Sequence, residues 1–205
     1  MAHRTTVGNV EILSLMDVGD WHLPQFFKTV DPATWETYRV LYPEAQCDGS
    51  AICTSATSYA LRTGGKTILV DTGVGPGPHA RIGGQQGRLV AEMQAAGIEP
   101  GDVDIVVVTH LHFDHVGWNA TQDGRDFLPT FPNARYLLPQ KDWRHYNQAE
   151  QREKTPYLDG TRLLYRLGKV ELVDGEKAVT DDLTLLPTPG HTPGHQAVLV
   201  QSGGE

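Results

Sequence analysis

The spacing of apolar positions changes along the chain, and each spacing predicts an element. "VEILSLMD" (10–17) predicts a first strand. "TSYALRTGGKTILVDTG" (57–73) predicts two strands joined by a turn at Gly64 and Gly65. "QQGRLVAEMQAA" (85–96) predicts a short amphipathic helix, with Leu89, Val90, Met93 and Ala96 near one face and Gly97 as its stop. "DIVVV" (104–108) is a continuous β-branched run, the pattern of a buried strand. "ARYLLP" (134–139) predicts another strand, and the polar stretch 141–167 a helical region. "VELVD" (170–174), "LTLLPTPGH" (183–191) and "HQAVLVQ" (195–201) predict three more strands. The sum is an α+β chain: sheet layers with helices outside and no regular βα alternation.

Residues 18–50 carry no period. Trp21, Phe26, Phe27, Trp35, Tyr38 and Tyr42 are scattered there among prolines. Two readings fit, a capping insertion over a pocket and an aromatic-rich loop packed on the body. No repeat or low-complexity linker divides the chain, so residues 1–205 are expected to form a single domain.

Composition narrows the function classes. The 205 residues are 39% hydrophobic and 20% charged, as in an ordinary globular protein. A net charge of −8 with no basic cluster argues against nucleic-acid or anionic-membrane partners. The apolar run at 105–108 is far too short to span a membrane. The first residues lack a signal peptide's apolar stretch, so a cytoplasmic location is expected. Cys47 and Cys53 match neither a metal knuckle nor a redox pair, and the expectation is two separate, small, partly buried thiols.

The candidate chemistry lies in two short stretches. "THLHFDHVGW" (109–118) places His110, His112, Asp114 and His115 directly after the "DIVVV" strand. On an extended segment, residues two apart project to the same side, so His110 and His112 can share one ion. Asp114 and His115 follow after the chain turns and can face a second ion. Imidazoles and carboxylates suit Zn2+, and also Fe, Mn or Co. The second stretch is "PTPGHTPGH" (187–195), whose Pro and Gly residues make a corner that can aim His191 inward. His110, His112 and His191 then form a three-histidine site with an open position, the pattern of a catalytic metal. His195 is expected to orient a ligand or pack beneath it.

"THLHFDH" with "TPGHTPGH", preceded by "ILVDTG" (68–73), resembles the metallo-β-lactamase superfamily over about residues 55–200. The resemblance implies a four-layer αβ/βα sandwich with metals at the edge between two sheets. It implies His110, His112 and His191 on one metal and Asp114 and His115 on a second, with two zinc ions in a complete enzyme. It also implies that Asp71 supports the metal loops without ligating; a plain turn aspartate is the alternative. "HLHFDHVGWN" and "GHTPGHQ" are most similar to the N-acyl-homoserine lactonase and organophosphate-hydrolase-like branch.

Two ligands that the resemblance implies are missing: an Asp bridging both metals after the "GH" motif, and a late His. The second half of the sandwich is therefore expected to be incomplete, as in a C-terminally truncated copy, with completion by a dimer partner as the alternative. The function implied is hydrolysis of an ester, lactone, thioester or phosphotriester by a metal-bound hydroxide, with a small-molecule substrate and with Asp114 passing a proton to the leaving group. The alternatives are a mononuclear iron dioxygenase on the same scaffold and an inactive fragment. No G-x-S-x-G or G-x-x-x-x-G-K-[ST] occurs, so serine-hydrolase and nucleotide chemistry lack support.

Overall fold

The structure, a computed structural model, describes residues 3–22, 27–47, 52–124 and 126–205. In chain order, β1 (Arg4–Val7) turns into β2 (Val10–His22), and α1 (Pro32–Leu41) leads to β3 (Cys53–Thr63) and β4 (Lys66–Val70). After α2 (Leu89–Ala95) and β5 (Ile105–Val107), the single turn α3 (Phe113–Val116) precedes the hairpin β6 (Ala120–Asp123) and β7 (Asp126–Pro129). Then come β8 (Arg135–Pro139), α4 (Gln140–Tyr146), α5 (Ala149–Lys154) and α6 (Asp159–Arg166). The last strands are β9 (Val170–Val173), β10 (Lys177–Ala178), β11 (Leu183–Pro187) and β12 (Gln196–Val200).

Seven strands form one sheet in the order β1-β2-β3-β4-β5-β8-β9, and β10-β11-β12 form a second. The larger sheet is antiparallel up to β4 and parallel from β4 to β9. Side-chain alternation sorts its residues between two cores. Ile68, Val70, Ile105, Val107 and Leu137 pack with Leu183 and Leu185 of the smaller sheet. Leu69, Val106, Val108, Tyr136 and Leu138 point the other way, against Leu89 and Met93 of α2 and Leu164 of α6. A central strand buried on both faces must be apolar throughout, which explains the unbroken "IVVV" run. The described residues thus build three of the four layers that the resemblance implies.

Four expectations need correction. Helix α2 starts at Leu89, not residue 85, because Gly87, Arg88 and Leu89 donate their N–H groups to Gly75 and Asp17 instead of continuing a helix. The region 141–167 is three short helices. Residues 18–50 are less irregular than their composition suggests. β2 continues to His22 through two bulges, and α1 begins where Asp31 accepts a capping bond from Ala33 N and Pro32 fixes the first turn. None of α1's residues is buried, and residues 23–26 (with Phe26) and 48–50 of this segment lie outside the described residues. Finally, Cys47 and Cys53 are joined in a disulfide. An antiparallel bridge between Gln46 and Ile52 brings their Cα atoms to 5.7 Å, a register no spacing rule foresees. No helix is long and apolar enough to cross a membrane among the described residues.

Candidate metal centre

The parallel strands β4 and β5 end side by side, and their exits build the centre. Asp71 leaves β4 with φ +60°, a backbone region sparsely used by residues other than glycine. That turn lets its carboxylate accept from Thr109 N at 2.7 Å and Thr109 Oγ1 at 2.8 Å, and lie 2.8 Å from His115 Nδ1. The chain after β5 is then zipped to the chain after β4. Gly117 N donates to Gly73 O (2.8 Å) and Trp118 N to Thr72 O (2.9 Å). A Cβ on Gly117 would lie 1.9 Å from the carbonyl carbon of Val74, so this approach requires glycine.

Two other carboxylates, both fully buried, complete the frame. Asp17 accepts from Val74 N (2.6 Å), Leu89 N (2.8 Å) and Trp118 Nε1 (2.9 Å). Asp142 on α4 accepts from Leu111 N (3.1 Å), Thr192 Oγ1 (2.8 Å) and Gly194 N (2.6 Å). Leu111 lies between His110 and His112, and Thr192 follows His191. Asp142 therefore clamps together two turns that are far apart in sequence. Gln196 adds two bonds between the same turns, Nε2 to Val108 O (2.8 Å) and N to Thr109 O (3.0 Å).

Within this frame the expected imidazoles meet. The ring centroids of His110, His112 and His191 are 4.7–4.8 Å apart, a nearly equilateral triangle. One nitrogen from each lies within 4.8 Å of the others. His112 Nδ1 and His191 Nε2 are 3.0 Å apart, close to the roughly 3.3 Å between neighbouring donors on a tetrahedral ion with bonds of about 2.0–2.1 Å. His115 stands beside His110, ring centroids 3.9 Å apart, and its Nε2 is 3.4 Å from Asp114 Oδ2. Among the described residues, Asp114 and His115 form a pair beside the triad and not a three-donor cluster of their own. His195 bonds through Nδ1 to Thr188 Oγ1 at 2.8 Å and packs 5.1 Å from the His110 ring.

The donors fit a cation. Thr109 gives its hydroxyl proton to Asp71, so its oxygen can only accept from His110 Nδ1, 3.1 Å away. That fixes the His110 proton on Nδ1 and leaves a lone pair on Nε2, which is buried without a hydrogen-bond partner. Burial, followed by the neighbouring His115, His112, His191 and His195, pushes the His110 pKa down to about 2. Burial and then His191 also hold His112 below its ordinary value. Both rings are neutral at neutral pH, the state a metal requires. Burial acts against charge on His115 too, but hydrogen bonds to Asp114 and Asp71 outweigh it and raise its pKa to about 10. For Asp114, burial works upward, yet the His115 hydrogen bond prevails and holds the carboxyl below its usual range.

Both turns fall inside the part of the chain, residues 51–205, that matches the metallo-beta-lactamase superfamily profile. The chain belongs to the metallo-beta-lactamase superfamily. An N-acyl homoserine lactonase of a Bacillus species is 28% identical over 162 residues, 70% of this chain, and the aligned part is 57% of the length of that relative. The lactonase AttM of Azorhizobium caulinodans is 31% identical over 117 residues, 55% of this chain and 41% of the relative. Among solved structures, a probable metal-dependent hydrolase from Staphylococcus aureus superposes with a TM-score of 0.79 at 21% identity, over 98% of this chain and 72% of that one. AidC, a dizinc quorum-quenching lactonase, superposes with a TM-score of 0.73 at 23% identity, over 100% of this chain and 71% of its own. Likeness at these identities establishes the metallo-beta-lactamase fold, with sheets and helices as expected.

Sequence reasoning missed Asp17, Thr109, Asp142 and Gln196. For Asp17 there was a signal, an acid at the end of the first predicted strand. Asp142, in the polar run "QKDWRHY" (140–146), gave none.

Proposed function

We propose that this chain carries the metal centre of a hydrolase that opens a lactone or cleaves a related ester in a small molecule. His110, His112 and His191 would hold one cation, zinc before Fe, Mn or Co, and Asp114 and His115 would face a second, with His115 giving up the proton it holds toward Asp114. The observation that carries the reading is the triangle of imidazoles around the orphaned Nε2 of buried His110. A zinc ion there supplies a Lewis acid and water acidified toward neutral pH.

The protein's own groups do the rest. Thr109 and Asp71 fix the tautomer of His110, and Asp142 holds the turn bearing His191 against the turn bearing His112. Asp114, ionised at neutral pH, can take a proton at Oδ2 and return it to the leaving oxygen, provided the substrate brings that oxygen within hydrogen-bond reach. Phe113 stands between His112 and Asp114 in sequence, with Trp21 stacked on it at 6.2 Å and Tyr157 edge-on at 6.5 Å. These rings make an apolar wall beside the metal turns, suited to an acyl chain. The names of the similar lactonases support an N-acyl homoserine lactone as the first substrate to try.

The test is hydrolysis of N-hexanoyl-homoserine lactone by the zinc-loaded chain, followed by proton release. Removing zinc with a chelator should abolish turnover, and adding zinc back should restore it. His112→Ala should cut turnover at least about a hundredfold, the scale of losing several kcal/mol of charge stabilisation. Turnover indifferent to both, or a zinc-loaded chain that opens no lactone or ester, would overturn the reading.

A further inference from the structure

A second group of donor atoms shares no residue with the histidine triad. His22 ends β2, Cys53 opens β3 and pairs with it across the sheet, and Cys47 reaches them from the Gln46–Ile52 bridge. One donor atom from each of the three lies within 4.8 Å of the other two, and all three residues are half-buried. Solvent-borne reagents can reach them. Cys47 and Cys53 share a disulfide here, and they are the only cysteines among the 205 residues. Asp20 and Glu44 line the same surface groove as the two sulfurs and give it a negative rim.

We propose that His22, Cys47 and Cys53 form a thiol–disulfide-gated site for a soft divalent cation of the zinc type. The site is closed while the disulfide stands and opens on reduction. A disulfide sulfur is a poor ligand because it carries no charge, whereas two thiolates and an imidazole are a strong donor set for zinc-like ions. Opening takes two electrons and two protons. Two small thiols supply them and leave joined as their own disulfide, while the Cys47–Cys53 bond breaks and two S–H groups form. Cation binding then displaces both protons to solvent, and His22 joins through a neutral ring nitrogen. Three protein donors leave the fourth tetrahedral position to water.

Cadmium is the probe, because its thiolate charge-transfer absorption in the ultraviolet reports sulfur ligation and the histidine triad contains no sulfur. The whole chain is titrated in its disulfide form and again after reduction by a phosphine, which leaves as its oxide with oxygen taken from water. The reduced chain should take up one more cadmium than the disulfide form and show the band; the disulfide form should show none. Cys53→Ser should remove the band, His22→Gln should raise the cadmium concentration that half-saturates it at least about tenfold, and His112→Ala should leave it intact. A reduced chain without the band overturns the proposal. So does a half-saturating cadmium concentration unmoved by His22→Gln, which would mean that the sulfurs bind without the site described here.

Discussion

Residues 188–195 spell one tetrapeptide twice, Thr-Pro-Gly-His followed by Thr-Pro-Gly-His. The two copies do opposite work. The first, Thr188 to His191, is exposed along its whole length and presents His191 to the triad. The second is the anchor: Thr192 is 3% exposed, and Thr192 and Gly194 both donate to Asp142. The copies also brace each other, with Thr188 N donating to His195 O at 2.8 Å and Gly190 N to Thr192 O at 3.1 Å. Identical local chemistry thus becomes candidate ligand or foundation according to which copy faces the buried carboxylate on α4. Ligand geometry needs rigid support, and here a neighbouring turn supplies it.

The largest way to break this asymmetry is Asp142→Ala. It leaves three donors without their acceptor, each costing about 1–3 kcal/mol when buried. We expect a loss on the order of 4 kcal/mol in urea unfolding of the metal-free chain. Zinc affinity, measured by competition with a chromophoric chelator, should fall with it because the two turns part. Gly194→Ala comes next. Its Cβ would meet Asp142 N at 2.6 Å and Oδ1 at 2.9 Å, and overpacking of that kind costs roughly 1–3 kcal/mol. The matching change in the first copy, Gly190→Ala, has nothing within 4 Å of its Cβ and should stay within about 0.5 kcal/mol by the same measurement.

A finer comparison uses the threonines. Thr192→Val removes a 2.8 Å bond to a buried carboxylate and should cost about 1.5–3 kcal/mol. Thr188→Val removes only an exposed bond to His195, and a melting curve should barely shift. Equal effects from the two threonines, or from the two glycines, would show that Asp142 does not distinguish the copies.

Much of the fold was legible because burial imposes periodicity. The alternating stretches of β2 and β3, the Gly64–Gly65 turn and the continuous runs of β4 and β5 each carry a pattern that one environment demands. β1, the two-residue β10 and the β6–β7 hairpin escaped, because short, exposed strands carry little apolar signal. Helix α1 was missed for a related reason: with none of its residues buried, its aromatic positions follow no core-facing stripe, and only the Asp31-Pro32 start marked it. At the candidate site, His110, His112 and His191 were visible as ligand types at telling spacings. Asp142 and Gln196 were not, since a polar residue that satisfies distant backbone groups looks like any surface residue in the sequence.

What the sequence alone determined was the inventory: which strands are apolar on both faces, which turns demand glycine, and which side chains can bind a cation. Such facts follow from each residue's own chemistry and from its neighbours a few positions away. The tertiary structure alone decided that Asp142 anchors the second copy of the repeat, which nitrogen of His110 is left bare, and that Cys47 and Cys53 meet beside His22. Each of these depends on contacts between segments that the chain order separates, where a shift of one residue in strand register sends a side chain to the opposite face.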